Sequence, residues 1–187
     1  MKTEVHHQPS DAMPSVDFGF QFSAEREYNK VEKKIFTQIS SISDYCYKAK
    51  KNMGMIVVLG NFDNNENHVV YGMRQIGINP IQKYLNVCST NFKDEIEKLF
   101  KQNYDGAIIV NRTGQILGSR IYLSVDKPSL EVPDGCGTRH ITAASFSTRE
   151  EIIAVFTLSE ESLVVRTWKS GSFVEQYIPN ENNTNNE

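Results

Sequence analysis

The sequence predicts a single α/β domain: a mixed sheet of about seven strands, flanked by helices and preceded by an amphipathic helix. Three observations predict it. Val31, Ile35, Ile39, Ile42, Cys46 and Ala49 recur at steps of four and three, the period of one helix face. Short apolar runs, such as Met55–Gly60 (MIVVLG) and 107–110 (AIIV), read as buried strands. Turn residues punctuate those runs, as in Asn-Arg-Thr-Gly at 111–114. The 187 residues fit one core, since chains divide only at roughly 250–300 residues.

The elements follow in order. Residues 1–22 read as a polar arm, with Phe18, Phe20 and Phe22 alternating as in a short edge strand or docking segment. Ser23 can cap a helix, with Arg26 rather than Glu at the capping-box position, and the amphipathic helix occupies 23–52, closed by Gly54. It packs on the sheet or acts as a regulatory or oligomerising element. The domain proper spans 53–178. Strand 55–60, a turn at 61–67 and strand 68–71 (HVVY) read as a hairpin. The stretch 72–85 is irregular, with a short helix after Pro80. Thr90 or Asn91 caps a helix through about Lys101, with Phe92, Ile96, Leu99 and Phe100 inward. Strands at 107–110 and 115–123 flank the 111–114 turn. Small residues Ala143, Ala144 and Ser145 lie in a helix over 138–146. Strands at 152–158, 163–168 and 173–178 complete the sheet. Residues 179–187, mostly Asn and Glu, form a disordered tail.

Composition excludes several classes. Hydrophobic residues at 39% and charged residues at 23% exclude wholesale disorder. Lys plus Arg number 20 against 23 Asp plus Glu, a net charge of −3. That excludes a bulk polycation for nucleic acid or anionic lipid, so no nucleic-acid partner is indicated. Cys46, Cys88 and Cys136 make no Cys-x-x-Cys pair. Neither a disulfide framework nor a zinc knuckle is expected, and a reducing cytoplasm fits best. No apolar run approaches the roughly 18–20 residues of a membrane helix. The N-terminus has no apolar signal core, and His6-His7 reads as solvated.

Three stretches could carry chemistry. In Asp134-Gly-Cys-Gly-Thr-Arg-His140, two glycines let backbone amides approach a ligand, and a helix N-terminus follows. Arg139 offers a fork for phosphate oxygens, Thr138 a hydroxyl, and His140 a donor that could be charged. The plain alternative, a tight turn with a surface Arg, weighs about equally on spacing alone. In Tyr104-Asp-Gly-Ala107, Asp105 could hold Mg²⁺ or Mn²⁺, or take a proton from a hydroxyl. An ordinary helix-to-strand turn explains it better in isolation. In Ser159-Glu-Glu-Ser162, paired carboxylates are usually solvated turn residues, with a metal or ribose contact as the sharper reading. Cys136 and Cys46 read as packing residues.

In their order, these pieces resemble the diadenylate cyclase (DAC) domain family of the DisA N-terminal type. The matching segments are Asp105-Gly-Ala107, Gly137-Thr-Arg-His-Ile-Thr-Ala143 and Leu158-Ser-Glu-Glu161, and the likeness covers about residues 53–175. It implies synthesis of the second messenger cyclic di-AMP and pyrophosphate from two ATP. It implies a divalent metal ion, Mg²⁺ or Mn²⁺, and a head-to-head homodimer or higher homo-oligomer in the cytoplasm. Asp105 matches a metal-linked aspartate near the ribose 3′-hydroxyl. Gly137, Thr138, Arg139 and His140 match the phosphate loop, with Arg139 and His140 catalytic beside Asp105. Glu160 matches a glutamate near metal and phosphates. Gly106, Ala107 and Ser159 belong to the substrate-binding motifs by the same likeness. Ile141 stands where the family pattern has a second Arg, and Thr142 where it has a small Ala. The competing class is a nucleotide-binding or regulatory module that keeps the fold without turnover.

Overall fold

The structure is a computed structural model and describes residues 18–62, 72–77, 85–100, 105–125, 132–133 and 136–180. Its elements are α1 (Phe18–Lys48), β1 (Met55–Gly60), β2 (Met73–Gln75), α2 (Phe92–Phe100), β3 (Ala107–Asn111), β4 (Ile116–Leu123), α3 (Thr138–Phe146), β5 (Ile152–Leu158), β6 (Val165–Lys169) and β7 (Ser172–Tyr177). The strands form one sheet in the order β2-β4-β3-β1-β5-β6-β7. β1 and β3 are parallel, and the other pairs are antiparallel. The predicted mixed seven-stranded α/β architecture is therefore present.

β1 lies at the centre of the sheet. Val57 sits between Ile108 of β3 and Phe156 of β5. A strand covered on both faces needs apolar residues throughout, which explains the unbroken MIVVLG run. The hairpin expected between 55–60 and 68–71 does not form: both edges of β1 are already paired with β3 and β5. Residues 68–71, and the helix expected after Pro80, lie outside the described residues.

Two helices cover one face. Val31, Ile35, Ile39, Ile42 and Cys46 of α1 are buried in one core with Phe92 and Ile96 of α2 and Val57, Ile108, Phe156 and Val165 of the sheet. The side chains of Leu99 and Phe100 lie outside the described set. α3 covers the opposite face, where Ala143, Ala144 and Phe146 share a core with Val58, Ile109, Val155 and Trp168. The small Ala pair lets the helix approach the sheet closely.

The boundaries of α1 differ from expectation. It begins at Phe18 rather than Ser23, so the Phe18–Phe22 stretch is helix and not an edge strand. Phe18 and Phe22 are four apart, which a helix face accommodates as readily as alternation suits a strand. The helix ends at Lys48, and exposed Ala49 lies beyond it. Gly54 is not the stop. Lys50 adopts the left-handed conformation (φ 52), and the Lys51 N–H bonds Cys46 O at 2.9 Å, closing the last turn. Two further differences are small: β2 falls in the stretch read as irregular, and β6 and β7 are displaced by one or two residues. Of the expected 179–187 tail, Pro179 is buried, and 181–187 lie outside the described residues.

α1 is fixed to the sheet by polar contacts as well as by its apolar face. Ser43 Oγ donates to Leu163 O at 2.6 Å. Lys169 Nζ pairs with Glu32 at 2.7 Å, and the Tyr177 hydroxyl reaches Asp44 at 2.7 Å. Replacing Ile39, which is fully buried, by Ala is therefore expected to cost about 2–5 kcal/mol. Urea unfolding reads this as a lower midpoint. An unchanged midpoint would mean that α1 is not part of the core.

Candidate active site

One open cleft, about 600 Å³ with its mouth included, lies at the end of the sheet where β1 and β3 begin and β4 ends. Its floor follows the strand register, in which Ile56 pairs with Ala107, and Ala107 with Ile121. Ile76 and Tyr122, both exposed, form an apolar wall. Asp105 and the first turn of α3, through Thr138, Arg139 and Thr142, provide polar groups. The cleft thus brings together the Asp105-Gly-Ala107 and Gly137–Thr142 segments.

Asp105 is exposed at the entry to β3, and its Oδ1 accepts the Gly106 N–H at 2.8 Å. Gly106 is required there for two reasons. Its φ is +100°, and a Cβ would meet the Arg120 and Ile121 backbone within 2.9 Å. That approach occurs where the β3–β4 register shifts. Arg120 itself has φ 57, and the irregularity re-aims the strand ends at the cleft.

α3 begins without a side-chain cap. Gly137 is its N-cap, with extended backbone, and its carbonyl accepts from His140 N at 3.0 Å and Ile141 N at 3.3 Å. The Thr138 and Arg139 amides precede those bonds and lie at the positive end of the helix dipole. Such a terminus suits an anion.

Arg139 lies against Gly54, where any Cβ would overlap its guanidinium. The sequence read Gly54 only as a helix stop; its role is to leave room for an arginine distant in the chain. Arg139 Nη1 also pairs with Glu160 Oε2 at 2.8 Å. Glu160 therefore stands beside the cleft as the partner of Arg139. Ser159 serves the β5–β6 turn: its N–H bonds Val164 O at 3.0 Å, and its carbonyl accepts from Leu163 N at 3.1 Å. Ile141 is half-buried and Thr142 faces the cleft.

The sequence reading left the charge of His140 open. The residue is 4% exposed, beneath the helix, with its ring 5.9 Å from that of Trp168. Arg166 Nη1 lies 3.0 Å from Nε2. A guanidinium can only donate, so Nε2 accepts and Nδ1 carries the proton. Burial, then the charges of Arg166 and Arg139, push the imidazole down to about 4 from 6.5. The side chain is thus neutral at pH 7.

That shift has a consequence for stability. Above pH 6.5 the ring is neutral in both folded and unfolded chains. As pH falls from 6.5 towards 4, the unfolded chain takes up a proton that the folded chain refuses. Folding stability then drops by about 1.4 kcal/mol per pH unit. Between pH 7 and 5, wild type is expected to lose about 2 kcal/mol more than His140→Gln. Urea titrations of both proteins at the two pH values check this; equal losses would contradict a buried neutral ring.

Asp105 offers an oxygen donor of the kind Mg²⁺ and Mn²⁺ take. Among the described residues no group of three His, Cys, Asp or Glu forms a cage. A divalent ion here fits the habit of Mg²⁺, held by one carboxylate together with ligand phosphates. Glu160 is engaged by Arg139 in this structure.

The chain is similar to several known proteins. A diadenylate cyclase of Methanocaldococcus jannaschii is 30% identical over 131 residues, covering 70% of this chain and 40% of that protein. A diadenylate cyclase of Haloferax volcanii is 26% identical over 106 residues, 57% of this chain and 39% of that protein. The chain spans about two fifths of the length of these curated relatives. Among solved structures, a double mutant of DacA from Staphylococcus aureus superposes with a TM-score of 0.54 at 20% identity, covering 81% of this chain and 91% of that one. A hypothetical membrane spanning protein from Bacillus cereus also gives 0.54, at 22% identity, over 80% of this chain and 63% of that one. These likenesses show the fold. Among the described residues, no helix of this chain is long and apolar enough to cross a membrane. The family described as DisA bacterial checkpoint controller nucleotide-binding matches residues 46–173, from the end of α1 to β7 and including the cleft, and the chain belongs to this DAC family.

Proposed function

We propose that the chain is a diadenylate cyclase that joins two ATP into cyclic di-AMP and releases pyrophosphate. The observation that carries the reading is the meeting of Asp105, Arg139 and the uncapped α3 N-terminus on one cleft. A carboxylate that can serve a hydroxyl and a cationic terminus that can hold phosphates are what phosphoryl transfer requires.

The roles follow from the chemistry. The base would lie against the apolar wall of Ile76 and Tyr122, with the phosphates towards α3. The Thr138 and Arg139 amides and the Arg139 guanidinium stabilise the charge of the leaving pyrophosphate. Glu160 holds Arg139 in place. Asp105 orients the attacking ribose 3′-hydroxyl and accepts its proton. Mg²⁺ or Mn²⁺, held by Asp105 and the nucleotide phosphates, would supply charge neutralisation and a more acidic hydroxyl. His140, buried and neutral, positions the first turn of α3 rather than exchanging a proton with substrate.

Among the described residues the chain shows one such cleft, and the reaction joins two nucleotides. A two-fold homodimer with clefts facing would place them together and form both bonds by symmetry. ATP as substrate favours the cytoplasm. Incubation with ATP and Mn²⁺, followed by chromatography, should yield cyclic di-AMP. ATP binding without product, at high enzyme, would favour the nucleotide-binding module instead.

A further inference from the structure

A second arginine converges on the α3 N-terminus from the sheet. Arg166 of β6 is half-buried, and its Nη1 donates to His140 Nε2 at 3.0 Å. It pairs with no carboxylate among the described residues. Removing a guanidinium from water is costly without a counter-charge. A neutral imidazole fixes the geometry of this one without cancelling its charge. The contrast with Arg139 is direct, because Glu160 offsets the charge of that residue.

The register places Arg166 in line with the cleft. Arg166 pairs with Thr157, Thr157 with Ile56, and Ile56 with Ala107. Residues directly opposite across strands share a face. Ile56 and Ala107 form the cleft floor, and each step across the sheet is roughly 4.8 Å. The row therefore leads from the floor to Arg166 beneath the first turn of α3. Burial first, and then the charges of Arg166 and Arg139, hold the His140 ring well below its ordinary range, so both guanidinium charges are felt at that turn.

We propose that Arg166 is the second cation of the phosphate end of the cleft, and that it favours a nucleoside polyphosphate over a monophosphate. The proposal rests on the nucleotide reading of the cleft. A residual positive charge beneath an uncapped helix terminus favours the ligand with more phosphate charge. Its neutral partner, His140, keeps that charge available and in one place.

The test compares affinities for α,β-methylene-ATP and AMP, by calorimetry with Mg²⁺, in wild type, Arg166→Gln and Arg166→Lys. Arg166→Gln is expected to bind the triphosphate analogue about tenfold more weakly, through loss of a positive charge that acts from beneath the turn rather than by contact. AMP affinity should change by less than about twofold, since it carries less charge. Arg166→Lys, which keeps the charge, should stay within about threefold of wild type for both ligands. Equal weakening of the two ligands would mark a purely structural role and overturn the proposal, as would no change in either. If Arg166→Gln does not fold, Arg166→Met, which keeps an unbranched stem, decides by the same ratio. Wild type that binds neither nucleotide would overturn the reading of the cleft and this proposal with it. Wild type that binds both, with an unchanged ratio in the variants, would overturn this proposal alone.

Discussion

Asp105→Asn is expected to lower cyclic di-AMP synthesis by roughly 10²–10⁴-fold, the usual weight of a positioned acid–base group. The fold should not change. Asp105 is exposed, and the contact its side chain makes is acceptance of the Gly106 N–H by Oδ1. An Asn oxygen can accept the same bond, so the β3 entry is kept. What is lost is the negative charge that binds a cation and the basic oxygen that takes a proton. Turnover with Mn²⁺ and a thermal melt, run on the same preparation, separate the two effects. Activity within about threefold of wild type would remove the carboxylate from the chemistry.

Arg139→Ala is expected to lower turnover by about 10²–10³-fold, comparable to loss of one donor to a developing anion. Its cost in stability should be small. The Arg139–Glu160 pair has side chains 40% and 52% exposed, and exposed pairs contribute little. Gly54→Ala provides a second route to the same position. Its Cβ would overlap the guanidinium, so the flexible arginine must move while the backbone stays. An intermediate loss of activity with a near-normal melting temperature is expected. If Gly54→Ala matches wild type in activity, Arg139 does not act from the place where this structure holds it.

These expectations rest on parts of the molecule that differ in how legible they were in the sequence. Strands such as MIVVLG at 55–60 and AIIV at 107–110 announce themselves because both faces are buried. The same property hides their partners. Nothing in a continuous apolar run says that β1 pairs with β3 and β5 rather than with the next run along. The α1 period was clear over 31–46, where the face is buried. Its ends were not: Lys50 takes the left-handed cap that a sequence reader assigns to glycine.

The site shows the same division. The residue types around Asp105 and Gly137–Thr142 were visible as motifs, and their ligand-facing positions follow from strand and helix ends. Gly54 was missed because its neighbour, Arg139, is adjacent only after the sheet forms. The charge state of His140 was left open because sequence carries no burial; Trp168 and Arg166, both on β6, supply it. Ile76 and Tyr122 were passed over since single exposed apolar residues are common, and their shared wall exists only in three dimensions.

The most direct test of the cyclase assignment is a ³¹P NMR time course of the purified chain with ATP and Mg²⁺. Two pyrophosphates released for each cyclic dinucleotide, with no inorganic phosphate or ADP, is the expected result. Release of ADP and phosphate, or of pyrophosphate with AMP in place of a cyclic product, would contradict it.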